Sequence, residues 1–224
     1  MPSQKIEQYY QYFEKQLQNV SSVENLMYHK ILLVTIFDTL GRARFPDIRR
    51  NKERFVRLIK ECADWTDYCR VSLPQLLLSL QSFNSGTLNN EVEIRIHGWQ
   101  YGRIYRLNEV DPEINEIIAF AETDNERGVI NNSKHAALLY TYRNHLVHEF
   151  REPGYGMEIS DDDASPYYHG MTTLEGIDTW ELVYPIGFFM NVARSILGNL
   201  KLYLQDNNLD PYPLYEFGSI WRRS

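Results

Sequence analysis

Apolar residues recur at helical spacing over both ends of the chain and change period near the middle. Residues 1–20 read as a polar helix rich in Gln and Tyr. Ser21-Ser22-Val23-Glu24 has the capping-box pattern ahead of an apolar run to Leu40, with Gly41 as its predicted stop. A second helix is predicted from Asn51 to Trp65, with Phe55, Leu58, Ile59 and Cys62 on one face. Pro74 opens a third, leucine-rich helix. Val92, Ile94 and Ile96 then alternate with Glu93 and Arg95, a strand pattern, and Ile104–Leu107 is placed to pair back as a hairpin.

Helical spacing returns at Pro112–Ala121 and at about Asn132–Arg151, where Pro153-Gly154 marks an end. The stretch Tyr155–Tyr184 offers short strands at Gly156–Ser160 and Trp180–Tyr184. Pro185 opens a long helix to about Leu204. Two prolines and several aromatics in 210–224 suggest an ordered C-terminal strap. The expected architecture is one mainly α domain over residues 1–224 with a small β-hairpin or sheet insertion from elements at about 91–107 and 155–184.

At 224 residues, a chain buries roughly 70% of its unfolded surface and needs no disulfide or metal staple. With 43% hydrophobic and 13% aromatic residues, disorder is excluded as the main state. No secretory pattern opens the chain, so a cytoplasmic protein is expected. Leu26–Leu40 is too short and too interrupted to cross a bilayer, and no membrane partner is predicted. Cys62 and Cys69 form no C-x-x-C pair and read as reduced thiols.

The chemistry concentrates in the helix around Tyr140–Phe150. With Arg143 at 0° and about 100° per residue, Tyr142, Leu146, Leu139, Phe150, Ala136 and Val147 form one apolar arc. Tyr140, Asn144, His148 and Thr141 lie on the opposite arc. Arg143 falls inside the apolar arc, so its guanidinium requires a carboxylate, a carbonyl or an anionic ligand. His148 suits proton transfer near neutral pH, and Arg143 offers a charged fork matched to phosphate. Metal-free RNA cleavage needs those two groups: an acid or base for the moving proton and a cation for the dianionic phosphorane. His145 and His148, with Glu149, offer a weaker alternative as two ligands of a metal-dependent hydrolase. Their spacing matches no zincin pattern, and neither metal nor cofactor is predicted. Walker A, G-x-S-x-G and Cys–His nucleophile patterns do not occur in the sequence.

The run Arg143-Asn144-x-x-x-His148 resembles the R-x-x-x-x-H signature of HEPN domains, including the polar residue that follows the Arg. Apolar helices before and after the motif resemble the HEPN helical bundle. The resemblance implies a homodimer whose two motifs form one cleft, and a metal-independent endoribonuclease acting on single-stranded RNA. Arg143 and His148 are then catalytic, and Asn144 positions them. It also implies a toxin or phage-defence effector held by a protein inhibitor, such as an antitoxin or regulator. The alternative is a non-catalytic HEPN-type module for RNA or nucleotide binding, or for dimerisation.

Net charge is -7 but unevenly spread. Arg42 to Lys60 carries a local +6, leaving -13 elsewhere, and seven acids lie between Arg106 and Arg127 without an intervening base. An acidic total excludes indiscriminate coating of nucleic acid, yet a basic surface can still lead RNA to a cleft. Tyr140, His145 and Arg151 beside the motif, with Arg49, Arg50, Lys52 and Arg54 in the basic stretch, are the candidate RNA contacts. A salt-bridged helix face facing the acidic segment is the competing reading of the basic stretch. Asp161-Asp162-Asp163 reads as a solvated loop.

Overall fold

The computed structural model describes residues 2–81, 86–159 and 163–213. In chain order the helices α1 (Pro2–Ser21), α2 (Leu26–Arg44), α3 (Asn51–Cys62), α4 (Leu73–Leu80) and α5 (Thr87–His97) precede strand β1 (Ile104–Arg106). Short helices α6 (Leu107–Val110), α7 (Ile114–Ile117) and α8 (Asp124–Asn132) lead to α9 (His135–Asn144). Strands β2 (Tyr167–Thr172) and β3 (Asp178–Val183) follow, and α10 (Ile186–Asp206) closes the described order. The protein is mainly helical with a small three-stranded antiparallel sheet, ordered β1-β2-β3. No helix among the described residues is long and apolar enough to cross a membrane.

The described chain divides into two compact units, residues 2–64 with 190–213, and Trp65–Phe189. In the first unit, Ile6, Tyr9, Phe13, Leu17 and Val20 of α1 repeat every three or four residues and are all buried. Asn25, not Ser21, caps α2: its side chain accepts from the Tyr28 amide. Gly41 does not stop that helix. A Cβ there would meet Leu58 at 3.4 Å, so α2 continues to Arg44 past a site of close helix approach. The predicted strap is described only through Pro213. Within it Pro211 is buried and the Tyr212 hydroxyl lies 3.0 Å from Gln8 Oε1; residues 214–224 lie outside the described residues.

In the second unit, the strand expected at Val92–Ile96 is helix α5. Leu88, Val92 and Ile96 are buried at a spacing of four, while Ile94 is 70% exposed. A five-residue window saw alternation where the longer period was helical. The expected hairpin is accordingly absent, and β1 pairs instead with β2, Tyr105 opposite Tyr168. The Trp180 strand is confirmed as β3, paired with β2 through Gly170 opposite Trp180. Gly156–Ile159 is not strand, and Ser160 lies outside the described residues. Pro112–Ala121 is not one helix but α7 followed by a tight 3-10 turn. Asp163 is no solvated carboxylate: it takes both terminal guanidinium nitrogens of Arg106 at 2.9 Å, while Asp161 and Asp162 lie outside the described residues.

The acidic run has a local cause. Glu109, Glu116 and Glu126 each stand at the third position of a short helix and accept from the backbone amide at its start. Carboxylates there satisfy unpaired amides and complement the helix dipole.

A buried polar network ties this unit together. Asp111 Oδ2 accepts from the Tyr168 hydroxyl at 2.7 Å and lies 2.7 Å from His135 Nε2, while Oδ1 accepts from the Leu73 amide at 3.1 Å. Tyr168 also reaches Ser72 Oγ at 2.8 Å, and Tyr184 lies 3.1 Å from His135 Nδ1. One carboxylate thus joins β2, the start of α4 and the start of α9. Burial, then the Asp111 charge, pushes Tyr168 and Tyr184 well above the ordinary phenol range. Burial, then Glu152, does the same to Tyr142, whose hydroxyl donates to that carboxylate.

These raised values set an alkaline limit. Below a pH of about 10 the three phenols are neutral in both states; above it the unfolded chain ionises them while the fold does not. Stability is expected to fall as pH rises toward the folded-state values, by about 1.4 kcal/mol per pH unit for each phenol. Urea midpoints measured between pH 9 and 11 check this. Tyr168→Phe should flatten the slope by about one proton, and a profile level to pH 11 would contradict it.

Candidate active site

The motif sits where α9 loses its regular pitch. His145–Glu149 forms a π turn, with the Phe150 amide donating to the His145 carbonyl, five residues back. Phe150 then takes the left-handed conformation at φ 55° and ψ 40° and ends the helix, three residues before Pro153-Gly154. A bulky L residue in that region costs about 1–2 kcal/mol. Two adjacent departures from regular geometry are a feature that clusters at working sites.

The π turn decides what the motif can do. At the α-helical pitch Arg143 and His148 stand about 140° apart, on opposite faces. Widening the turn brings residues five apart onto one side: Arg143 Nη1 lies 3.1 Å from His148 Nε2 and 3.0 Å from Asn144 Oδ1. Guanidinium can only donate, so in this contact Nε2 of His148 is the acceptor. Arg143 and Asn144 are half-buried and His148 is exposed, which leaves the cluster open to a ligand. The carbonyl expected as a partner for the Arg143 guanidinium is supplied by the neighbouring Asn144 side chain.

The flanking candidates divide. His145 Nδ1 lies 3.0 Å from Glu149 Oε1, and Arg151 Nη2 lies 2.6 Å from Oε2 of the same carboxylate. Hydrogen bonding to His145, and secondarily to Arg151, holds the Glu149 carboxyl below its usual value against a smaller desolvation effect. His145 and Arg151 therefore face one exposed carboxylate that a phosphate must displace. Tyr140 is half-buried on the same helix. Among the described residues no three His, Cys, Asp or Glu side chains group to hold a metal.

The basic stretch belongs to the first unit. Arg44 and Arg57 both pair with Glu61, at 3.4 and 2.7 Å, and Arg54 donates to the Ile48 carbonyl and to Asn51. Arg44 and Arg57 are salt-bridged through Glu61 of the same unit, a residue outside the acidic segment that the competing reading named. Arg49, Arg50 and Lys52 are exposed. Arg49 and Arg50 carry no ion pair among the described residues.

No protein-family model matches the chain, and no curated protein or solved structure matches it either. The local geometry carries the functional reading.

A cleft of about 580 Å³ lies in the same unit, lined by α4, α9, the 153–155 segment and β3, and none of Arg143, Asn144 or His148 lines it. Sequence reasoning missed this cleft and the Asp111 network alike. His135, followed by Ala136 and Ala137 at the start of an apolar helix, was the one local signal of a buried polar partner.

Proposed function

We propose that this protein is a metal-independent endoribonuclease that cleaves single-stranded RNA and acts in the cytoplasm as a toxin or phage-defence effector. The observation that carries the reading is the contact of Arg143 with His148 Nε2 and Asn144 Oδ1 on an open surface. A scissile phosphate draws the Arg143 fork onto its oxygens and releases Nε2. Nε2 then takes the 2′-hydroxyl proton as the 2′-oxygen attacks phosphorus. The P–O5′ bond breaks, leaving a 2′,3′-cyclic phosphate and a 5′-hydroxyl end, while Arg143 offsets the charge on the phosphorane. The departing O5′ needs a proton of its own. His148 of a second copy of the motif, in its protonated form, supplies it, which is the chemical reason for a homodimer with one composite cleft. A protein inhibitor, an antitoxin or regulator, covers that cleft until activity is required.

The test uses 5′-labelled single-stranded RNA and purified protein in excess EDTA. Wild-type cleavage is expected, slowed about a hundredfold or more in Arg143→Ala and in His148→Ala, and sedimentation should show a dimer. Activity that persists undiminished in both variants, or that vanishes with chelator, overturns the reading. Tight RNA binding without product points instead to a binding module.

A further inference from the structure

The cleft beside β3 is independent of the nuclease reading. Its lining includes every residue from Ile177 to Leu182. Successive side chains of a strand point to opposite faces, so six consecutive lining positions share only the strand's edge. β3 is one of the two outer strands of the sheet, and no described residue outside the sheet makes a backbone hydrogen bond along it. Such an edge presents unpaired amides and carbonyls to an added strand.

The opposite wall is apolar, formed by Leu77 and Leu78 of α4 and Leu138 of α9, with Tyr155 at 65% and Ile177 at 55% exposure on the rim. Among the described residues no Lys, Arg or His lines the cleft, yet it holds the carboxylates of Asp178 and Glu181. Glu181 accepts from the Tyr155 amide at 2.9 Å and from Thr179 at 2.8 Å; Asp178 accepts from Thr172 at 2.8 Å. Neither has a cationic partner among the described residues. Standing three apart on β3, they flank opposite faces of whatever lies along the edge.

We infer that this cleft is a docking site for an extended segment of a partner protein, apolar at its centre and bearing basic side chains, which adds to β3 as a fourth strand. Backbone bonds to the edge hold it, its apolar side chains fill the cleft, and its cations meet Asp178 and Glu181. An acidic, cation-free lining repels nucleic acid, so the occupant is a peptide.

The probe is a fluorescein-labelled eight-residue peptide of β-branched and aromatic residues flanked by arginines, titrated by anisotropy against the full chain. Micromolar binding is expected, weakened at least tenfold when the arginines become glutamates and at least tenfold when alternate backbone amides are N-methylated. The Asp178→Asn, Glu181→Gln double variant keeps the side-chain acceptors and should lose about tenfold for the basic peptide, with an unchanged circular dichroism spectrum. Hydrogen exchange of the 178–183 amides should slow in the complex. Failure to bind, equal binding of basic and acidic peptides, indifference to N-methylation, or a double variant that aggregates while binding as before each overturns the proposal.

Discussion

His148→Ala is expected to slow RNA cleavage by about 10²–10⁴-fold, the range lost with a positioned acid or base. Arg143→Ala should cost about 10²–10³-fold through lost stabilisation of the phosphorane. The two losses should not multiply, because one contact positions both groups. Arg143→Lys keeps the charge but not the fork, so it should recover only part of the rate. His148 is exposed, and its removal should leave stability within about 0.5 kcal/mol. Single-turnover kinetics beside urea melts separate the two effects. A His148→Ala variant that has unfolded, or that cleaves within threefold of wild type, contradicts the assignment.

Asp111→Ala should be the most destabilising single change in the second unit. It removes the acceptor of the Leu73 amide and the partner of His135 Nε2 at once, and leaves Tyr168 with Ser72 Oγ alone, at a place with no solvent to replace it. Leaving buried donors unpaired after losing such a partner costs about 3–5 kcal/mol. For a chain of this size that lowers the melting temperature by roughly 6–20 °C. The same carboxylate fixes the first residue of α9, the helix that carries the motif, so RNA cleavage should fall with folded fraction and not beyond it. Differential scanning calorimetry decides the matter, and a loss below 1 kcal/mol would show that the network is dispensable.

Long periodic elements were legible in the sequence, and local irregularities were not. Pro185 before an apolar run placed α10 correctly, and Phe55, Leu58, Ile59 and Cys62 placed α3, because tertiary packing reinforced the local period. Val92–Ile96 misled because its alternation is a fragment of the longer repeat that begins at Leu88. The motif was legible as residues but not as geometry. A wheel of constant pitch set Arg143 and His148 on opposite faces, and only the π turn brings them together. The Asp111 network was invisible for another reason. Its members run from Ser72 to Tyr184, and no local pattern links side chains that meet only after the sheet and α4 have packed.

The most direct test of the nuclease chemistry is the identity of the cleaved ends, read by mass spectrometry after wild-type protein acts on RNA in EDTA. A 2′,3′-cyclic phosphate opposite a 5′-hydroxyl is the expected product, and a single 2′-deoxy substitution should abolish cleavage at that linkage alone. A 3′-hydroxyl with a 5′-phosphate, or cutting that ignores the 2′-deoxy position, would contradict attack by the 2′-oxygen and with it the roles assigned to Arg143 and His148.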